Sequence, residues 1–168
     1  MTSGIIIALL VVALVLFLKH RRAPRLGGLP TGDLIASDHD QDGPLLVSHT
    51  YGLKGKPDSF VRTSDGAIIP VERKKARAPQ KVHDGDLIQG IAYCILVEDS
   101  YGQAPPYVRI QYADRWFDVP YSSELKSWAL EVAERLRAAR RAPVCNRSHH
   151  HPAKCRNCGQ RKNCSQAL

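Results

Sequence analysis

Two carboxylates and an amine lie close together in the middle of this chain. Asp58 precedes Glu72 by fourteen residues, and Lys74 follows Glu72 by two. Asp65-Gly66 lies between them and is typical of a β-hairpin turn, which needs positive φ angles. Residues that face each other on paired strands are about 5 Å apart. The spacing therefore predicts that Asp58 and Glu72 approach each other across a hairpin, with Lys74 on the same face as Glu72.

This combination of side chains indicates metal-dependent hydrolysis of a phosphodiester. Two carboxylates can share one hard divalent cation, because such ions prefer oxygen ligands. An ammonium beside them can orient an attacking water or stabilise developing negative charge. An exposed hairpin with solvated charges would contain the same residue types, so the spacing alone leaves that alternative open.

Residues 84–99 (DGDLIQGIAYCILVED) have apolar side chains at helical spacing. Asp84 and Asp86 suit the amino end of a helix, where carboxylates meet free amides and the positive end of the dipole. Gly102 suits its carboxyl end. Gln89 and Tyr93 are four residues apart and so project from one face. They either serve the carboxylate site or form a half-buried, hydrogen-bonded pair.

The order of these motifs resembles a known family of nucleases. Gly-x-x-Asp, Glu-x-Lys and Gln-x-x-x-Tyr occur in this order in the RecB-like branch of the PD-(D/E)XK superfamily. Within that branch the chain looks most like the CRISPR-associated exonucleases, which also end in a cysteine cluster. The resemblance covers residues 50–168, and the matching residues are Gly55, Asp58, Glu72, Lys74, Gln89, Tyr93, Cys155, Cys158 and Cys164.

The resemblance implies a role for each residue of the motifs. Asp58 and Glu72 would bind Mg²⁺ or Mn²⁺, helped by the backbone carbonyl of Arg73. Lys74 would position or activate the attacking water. Gln89 and Tyr93 would orient the DNA strand and the carboxylates.

The resemblance also implies a fold, a substrate and partners. The fold would be α/β, with a restriction-endonuclease-like mixed sheet flanked by helices. The activity would be that of a DNA exonuclease acting on single-stranded ends, in CRISPR adaptation or DNA repair and alongside the proteins of those pathways. The family's upstream histidine and cysteine have no counterpart here, although His39 or His49 could replace the histidine. That departure favours an alternative, a catalytically inactive nuclease-fold protein that binds DNA or acts as a scaffold at the membrane.

Four of the five cysteines lie in the last 24 residues, at Cys145, Cys155, Cys158 and Cys164. Four thiolates can hold tetrahedral Zn²⁺ or a [4Fe–4S] cluster, and a C-x-x-C pair grips one ion or cluster from a single turn. The resemblance implies the iron–sulfur cluster. The family's upstream cysteine ligand is missing here, and we infer that Cys145 replaces it. The run His149-His150-His151 offers zinc ligands as a further alternative.

Residues 4–18 are apolar and uncharged, and Lys19-His20-Arg21-Arg22 follows. At ~1.5 Å per residue the run is about 22 Å long as a helix, which neighbouring residues can extend towards the roughly 30 Å hydrocarbon layer. The charge that follows the run predicts a single-pass anchor with the catalytic domain in the cytoplasm. A signal peptide would need its positive charge before the apolar run.

The chain of 168 residues is long enough for one modest domain and carries a net charge of +8. Its positive residues cluster at 19–25, 73–81 and 135–162, which suits a polyanionic partner as well as surface solubility. The predicted organisation is a membrane anchor, a Pro/Gly/Asp-rich linker, a nuclease core and a cysteine-rich tail, over residues 1–22, 23–44, 45–142 and 143–168. Within the core we expect strands at 45–51, 107–112 and 116–119 and a helix from Ser122 or Ser123 to Arg141.

Overall fold

The structure is a computed structural model that describes residues 29–37, 45–144 and 146–168. The chain divides into two compact units between Ser122 and Ser123. The first unit contains seven strands and one helix in its described residues: β1 (Asp33–Ser37), β2 (Leu46–Ser48), β3 (Leu53–Gly55), β4 (Ser59–Arg62), β5 (Ile68–Arg73), α1 (Asp84–Tyr101), β6 (Tyr107–Gln111) and β7 (Trp116–Pro120).

A five-stranded mixed sheet organises the first unit, in the order β1-β4-β5-β6-β7. β5 and β6 run parallel, whereas the other neighbouring pairs are antiparallel. The parallel pair needs a crossover, which α1 supplies. Strands β2 and β3 form a separate antiparallel hairpin. The predicted α/β architecture with a mixed sheet is therefore correct, while its closer description as restriction-endonuclease-like remains a prediction.

The hairpin predicted around Asp65-Gly66 joins β4 to β5. Ser59 pairs with Val71 and Arg62 with Ile68. The turn closes through a hydrogen bond from the Thr63 amide to the Ala67 carbonyl, 2.9 Å long. Gly66 alone in this turn has a positive φ, 88°, a value that residues with a side chain rarely adopt.

Helix α1 packs against β5 and β6 and against the β2–β3 hairpin. It begins at Asp84 and its last residue is Tyr101. Gly102 follows, and its φ of 69° makes it the expected left-handed cap. Its apolar side joins the sheet in a core whose fully buried side chains include Phe60, Ile69, Val71, Ile91, Ile95, Leu96, Val108 and Ile110. This packing fixes the face of α1 that carries Gln89 and Tyr93.

The second unit begins with α2 (Ser123–Arg141), at the position predicted from the sequence. The tail follows as a one-turn helix, α3 (Pro152–Arg156), and a short 3₁₀ turn (Arg161–Asn163). The unit boundary falls before α2, whereas the sequence suggested a division after residue 142.

Part of the segment predicted as a linker is regular structure. Asp33–Ser37 form β1 and pair with β4 at the edge of the sheet. This strand was hard to predict because its pairing partner lies more than twenty residues away and because both Leu34 and Ile35 remain exposed. An edge strand with both faces partly in water lacks the alternation by which strands are found.

The prediction of a transmembrane helix and a single-pass membrane location is corrected. No helix among the residues described here is long and apolar enough to cross a membrane. In this part of the chain the two long helices are α1 and α2, which carry four and eight charged residues respectively and are too polar to cross a membrane. The segment on which the prediction rested, residues 4–18, lies outside the described residues.

Candidate active site

Asp58 lies immediately before β4, one position beyond the last paired residues of the hairpin. The backbone N–H of Arg73 donates a hydrogen bond to Asp58 Oδ2, with a distance of 2.6 Å. This bond ties the Asp58 carboxylate to the end of β5, next to Glu72. The structure thus brings the two carboxylates to the same end of the hairpin, as the spacing predicted.

Glu72 is an acid in a buried position near the carboxyl end of β5. Only 5% of the residue is exposed. Its Oε1 accepts hydrogen bonds from Gln89 Nε2 at 2.8 Å and from the Lys74 ammonium, which lies 3.1 Å away. Burial raises the pKa of Glu72, and the negative charge of Asp58 raises it further, while the hydrogen bond from Lys74 opposes both. A nearby cation would relieve this cost of burying charge.

Lys74 immediately follows β5, and its ammonium lies within hydrogen-bond distance of three acceptors in the described part of the chain. Besides Glu72, it contacts Gln89 Oε1 at 2.9 Å and Asp86 Oδ1 at 3.0 Å. Partial burial lowers the pKa of Lys74, but the hydrogen bonds and charges of Asp86 and Glu72 together outweigh it and raise the pKa. Lys74 is therefore an ammonium at neutral pH, suited to donating hydrogen bonds and unsuited to accepting a proton.

Gln89 connects the strand residues to helix α1. Its Oε1 accepts from Lys74, and its Nε2 donates to Glu72 and, at 2.9 Å, to the hydroxyl oxygen of Tyr93. The reversed amide would place a donor against the ammonium and an acceptor against the carboxylate, so these partners determine the amide orientation. Burial raises the pKa of Tyr93, which keeps its phenol protonated.

Gly55 is required by the ring of Tyr93. A Cβ at this position would lie 2.9 Å from Tyr93 Cε1 and 3.1 Å from Leu96 Cδ1. Both distances are shorter than the separation of about 3.5–4.0 Å that carbon atoms prefer. The glycine of the Gly-x-x-Asp motif therefore makes room for the tyrosine of the Gln-x-x-x-Tyr motif.

Asp86 and Tyr112 belong to the same cluster, although sequence reasoning did not place them there. Asp86 was interpreted as a residue of the helix amino end, where it indeed lies, but its side chain contacts Lys74. The Tyr112 hydroxyl donates to Asp86 Oδ2 at 2.6 Å. The strand topology could have placed them there. Lys74 follows the carboxyl end of β5 and Tyr112 that of β6, and because these strands run parallel, their carboxyl ends meet at one edge of the sheet.

The donor set of this cluster suits a hard cation. Asp58 Oδ1 and Glu72 Oε2 receive no hydrogen bond from any residue in the described part of the chain. Two carboxylate oxygens remain available beside the carbonyl of Arg73, which is the oxygen chemistry that Mg²⁺ and Mn²⁺ prefer. Over residues 29–37, 45–144 and 146–168, no three His, Cys, Asp or Glu side chains are arranged to hold an ion.

The cysteine-rich tail forms a second candidate site within the second unit. A cavity of about 270 Å³ is lined by the three described tail cysteines, Cys155, Cys158 and Cys164, and by His149. All three cysteines are free thiols, and Cys155 is buried. Cysteine sulfur is the ligand type that zinc and iron–sulfur clusters prefer, but in the described residues the three side chains are not arranged to hold an ion. The predicted fourth ligand, Cys145, lies outside the described residues, as does His39.

Comparison with known proteins gives one informative match. The chain is 31% identical over 121 residues to a CRISPR-associated exonuclease Cas4/endonuclease Cas1 fusion from Myxococcus xanthus (strain DK1622). The chain is thus distantly similar to a protein whose name includes a Cas4 exonuclease. The match covers 66% of this chain, and the chain spans only 21% of the length of the fusion protein.

The other comparisons add little to the Cas4-like relationship. No protein-family model matches the chain. The alignment with the crystal structure of SSO0001 covers 96% of this chain and 71% of the SSO0001 chain, with 16% sequence identity. Its TM-score of 0.48 is too low to support a structural argument.

Proposed function

We propose that this protein is a metal-dependent DNA nuclease of the Cas4-like type, acting as an exonuclease on single-stranded ends. The observation that carries the proposal is the hydrogen-bonded network of Glu72, Lys74, Gln89 and Tyr93, with Asp58 held next to it by the backbone N–H of Arg73. The distant relationship to a Cas4/Cas1 fusion supports the same function and suggests CRISPR-related partners.

In this proposal, Asp58 and Glu72, with the carbonyl of Arg73, hold Mg²⁺ or Mn²⁺. When bound, the cation would supply Lewis-acid stabilisation of the charge that develops on the scissile phosphate. The fit rests on the two carboxylate oxygens that the described protein leaves without hydrogen bonds and on the raised pKa of Glu72, which reflects a buried charge in need of compensation.

The remaining side chains of the network divide the work of positioning. Lys74, protonated at neutral pH, places its positive charge where it can stabilise the attacking water and the negative charge that develops on the phosphate. Gln89 holds Glu72 and Lys74 in place through opposite ends of its amide. The hydroxyl of Tyr93 accepts from Gln89, so its own proton can be donated to the DNA strand.

The decisive experiment incubates the purified full chain with end-labelled single- and double-stranded DNA and Mn²⁺. Lys74→Ala should lose about a hundredfold or more in cleavage rate, the usual effect of removing a donor to developing negative charge. Lys75→Ala is the matched control, because this neighbouring lysine is exposed and should retain full activity. Equal cleavage by the wild type and Lys74→Ala would rule the mechanism out.

A second candidate function is a nuclease fold that binds DNA as a scaffold without cutting it. Within the described residues, no third His, Cys, Asp or Glu is arranged with Asp58 and Glu72 to hold an ion, which favours this candidate. Filter binding in the presence of EDTA separates the two functions. Tight, salt-sensitive binding without Mn²⁺-dependent cleavage would support the scaffold.

We further propose that the tail binds a [4Fe–4S] cluster, with Cys155, Cys158 and Cys164 as ligands and Cys145 as the fourth. Zn²⁺ is the alternative occupant, because tetrahedral thiolate sites accept either. Anaerobic purification followed by visible absorption and metal analysis distinguishes them. Broad absorption near 400 nm with iron and sulfide indicates the cluster, and a colourless protein with zinc indicates the alternative.

A further inference from the structure

The Lys74 ammonium has one partner that none of the nuclease motifs includes. An ammonium has three N–H donors, and three acceptors lie within reach of this one. Glu72 and Gln89 are motif residues, and the third acceptor is Asp86, whose Oδ1 lies 3.0 Å from Nζ. Asp86 precedes Gln89 by three positions in α1, so the helix presents both side chains to Lys74 from one face.

Asp86 is itself held by a second residue. Its other oxygen, Oδ2, accepts a hydrogen bond of 2.6 Å from the hydroxyl of Tyr112. Tyr112 is 5% exposed, and its ring packs edge-to-face on Phe117 with a centroid distance of 5.9 Å. One oxygen of Asp86 therefore contacts the Lys74 ammonium, and the other accepts a hydrogen bond from Tyr112, whose ring is held by Phe117.

This arrangement has a consequence for Glu72. Without Asp86, Glu72 would be the one carboxylate of the described residues that forms an ion pair with the ammonium, and the lysine would be drawn towards the acid that is to hold the cation. With Asp86 present, the Lys74 ammonium is shared between two carboxylates at nearly equal distances, 3.1 Å to Glu72 and 3.0 Å to Asp86. Glu72 then keeps its Oε2 clear of hydrogen bonds from the described chain.

We propose that Asp86, fixed by Tyr112, is a positioning residue that holds the Lys74 ammonium for the cleavage step. The inference rests on the proposed nuclease function and adds two residues to that site. Because Asp86 acts through Lys74, its removal should slow the chemical step and leave DNA binding largely intact. The effect therefore belongs in kcat and not in KM.

The test compares steady-state Mn²⁺-dependent cleavage by the full-length wild type, Asp86→Asn, Tyr112→Phe and Asp84→Asn. Asp86→Asn keeps the size of the side chain but loses the charge, and we expect kcat to fall about tenfold with KM within about twofold. Tyr112→Phe removes only the hydroxyl and should lower kcat in the same direction by less. Asp84→Asn is the matched control, since Asp84 is an exposed acid in the same helical turn, and should leave both parameters unchanged.

Each outcome decides the matter. An unchanged kcat in folded Asp86→Asn, or a change confined to KM, would overturn the positioning role. If Asp86→Asn does not fold, Tyr112→Phe decides alone, because its ring still packs on Phe117. A wild type that cuts no DNA would refute the proposed function and the role of Asp86 with it, whereas an active wild type with an unaffected Tyr112→Phe and Asp86→Asn would refute only the latter.

Discussion

Replacing Gly55 by alanine tests how the hairpin and the helix are fitted together. The new Cβ would lie 2.9 Å from Tyr93 Cε1, about 0.6 Å inside the 3.5 Å lower limit of ordinary carbon contact. Tyr93 cannot simply rotate into solvent, because it is 9% exposed and packed in a cluster with Phe60 and Leu96. The ring or the β2–β3 hairpin must therefore shift.

The size of the shift predicts two effects. Overpacking of this kind typically costs about 1–3 kcal/mol in the free energy of unfolding. A ring displacement of about 0.6 Å would also lengthen the bond from Gln89 Nε2 to the Tyr93 hydroxyl, from 2.9 Å to as much as about 3.5 Å if the shift lies along the bond, which is the limit of a hydrogen bond. We therefore expect Gly55→Ala to lose both stability and cleavage activity.

Urea unfolding and the cleavage assay measure these effects side by side. Gly85→Ala is the control, because a Cβ at Gly85 meets no atom within 4 Å and alanine is the better helix former by about 0.5–1 kcal/mol. We expect this control to be as stable as the wild type or more stable. Wild-type stability and activity in Gly55→Ala would show that Tyr93 does not pack on this glycine as described.

Charge and metal binding lead to three further predictions. Mn²⁺ at about a hundred times its dissociation constant should raise the free energy of unfolding of the wild type by about 2.7 kcal/mol but leave the melting temperature of Glu72→Gln unchanged. EDTA should abolish cleavage. Equal stabilisation of both proteins by Mn²⁺ would argue against this site. Burial raises the pKa of Asp86, but its hydrogen bonds and neighbouring positive charge outweigh burial and bring the pKa below 3.8. The folded state thus favours the charged form, so the excess stability of the wild type over Asp86→Asn should be present above pH 3.8 and shrink as the pH falls further; a difference that grows on acidification would contradict this. Residues 135–168 contain nine Lys or Arg and no Asp or Glu. Replacing the four basic residues of 154–162 by glutamine should make single-stranded DNA binding less salt-dependent: the slope of log binding constant against log salt concentration should fall by about 0.7 for each phosphate that the variant no longer neutralises. An unchanged slope would exclude the tail from binding.

The sequence was most informative where the signals were local. Asp65-Gly66 located the β4–β5 hairpin, and with it the approach of Asp58 to Glu72, because a tight turn determines the register of its own strands. The apolar spacing of α1 likewise determined that Gln89 and Tyr93 share a face. In both cases residues close in sequence determine the geometry.

The contributions that sequence reasoning missed depend on contacts between distant segments. The Tyr112 hydroxyl reaches Asp86 across 26 positions, and this contact exists only because β6 pairs in parallel with β5 after the α1 crossover. An aspartate in the first turn of a helix has an adequate local explanation, so nothing near Asp86 indicated its ion pair with Lys74. β1 was missed for a similar reason, since its strand character comes from its partner β4.

Direct measurement of Mn²⁺ binding by electron paramagnetic resonance tests the central claim, that Asp58 and Glu72 hold a cation together. The account predicts that the wild type takes up Mn²⁺ in a saturable manner and that Asp58→Asn and Glu72→Gln each lose this uptake. Asp99→Asn, which alters an exposed acid on the same unit, should bind Mn²⁺ like the wild type. Undiminished Mn²⁺ binding by both Asp58→Asn and Glu72→Gln would contradict the account.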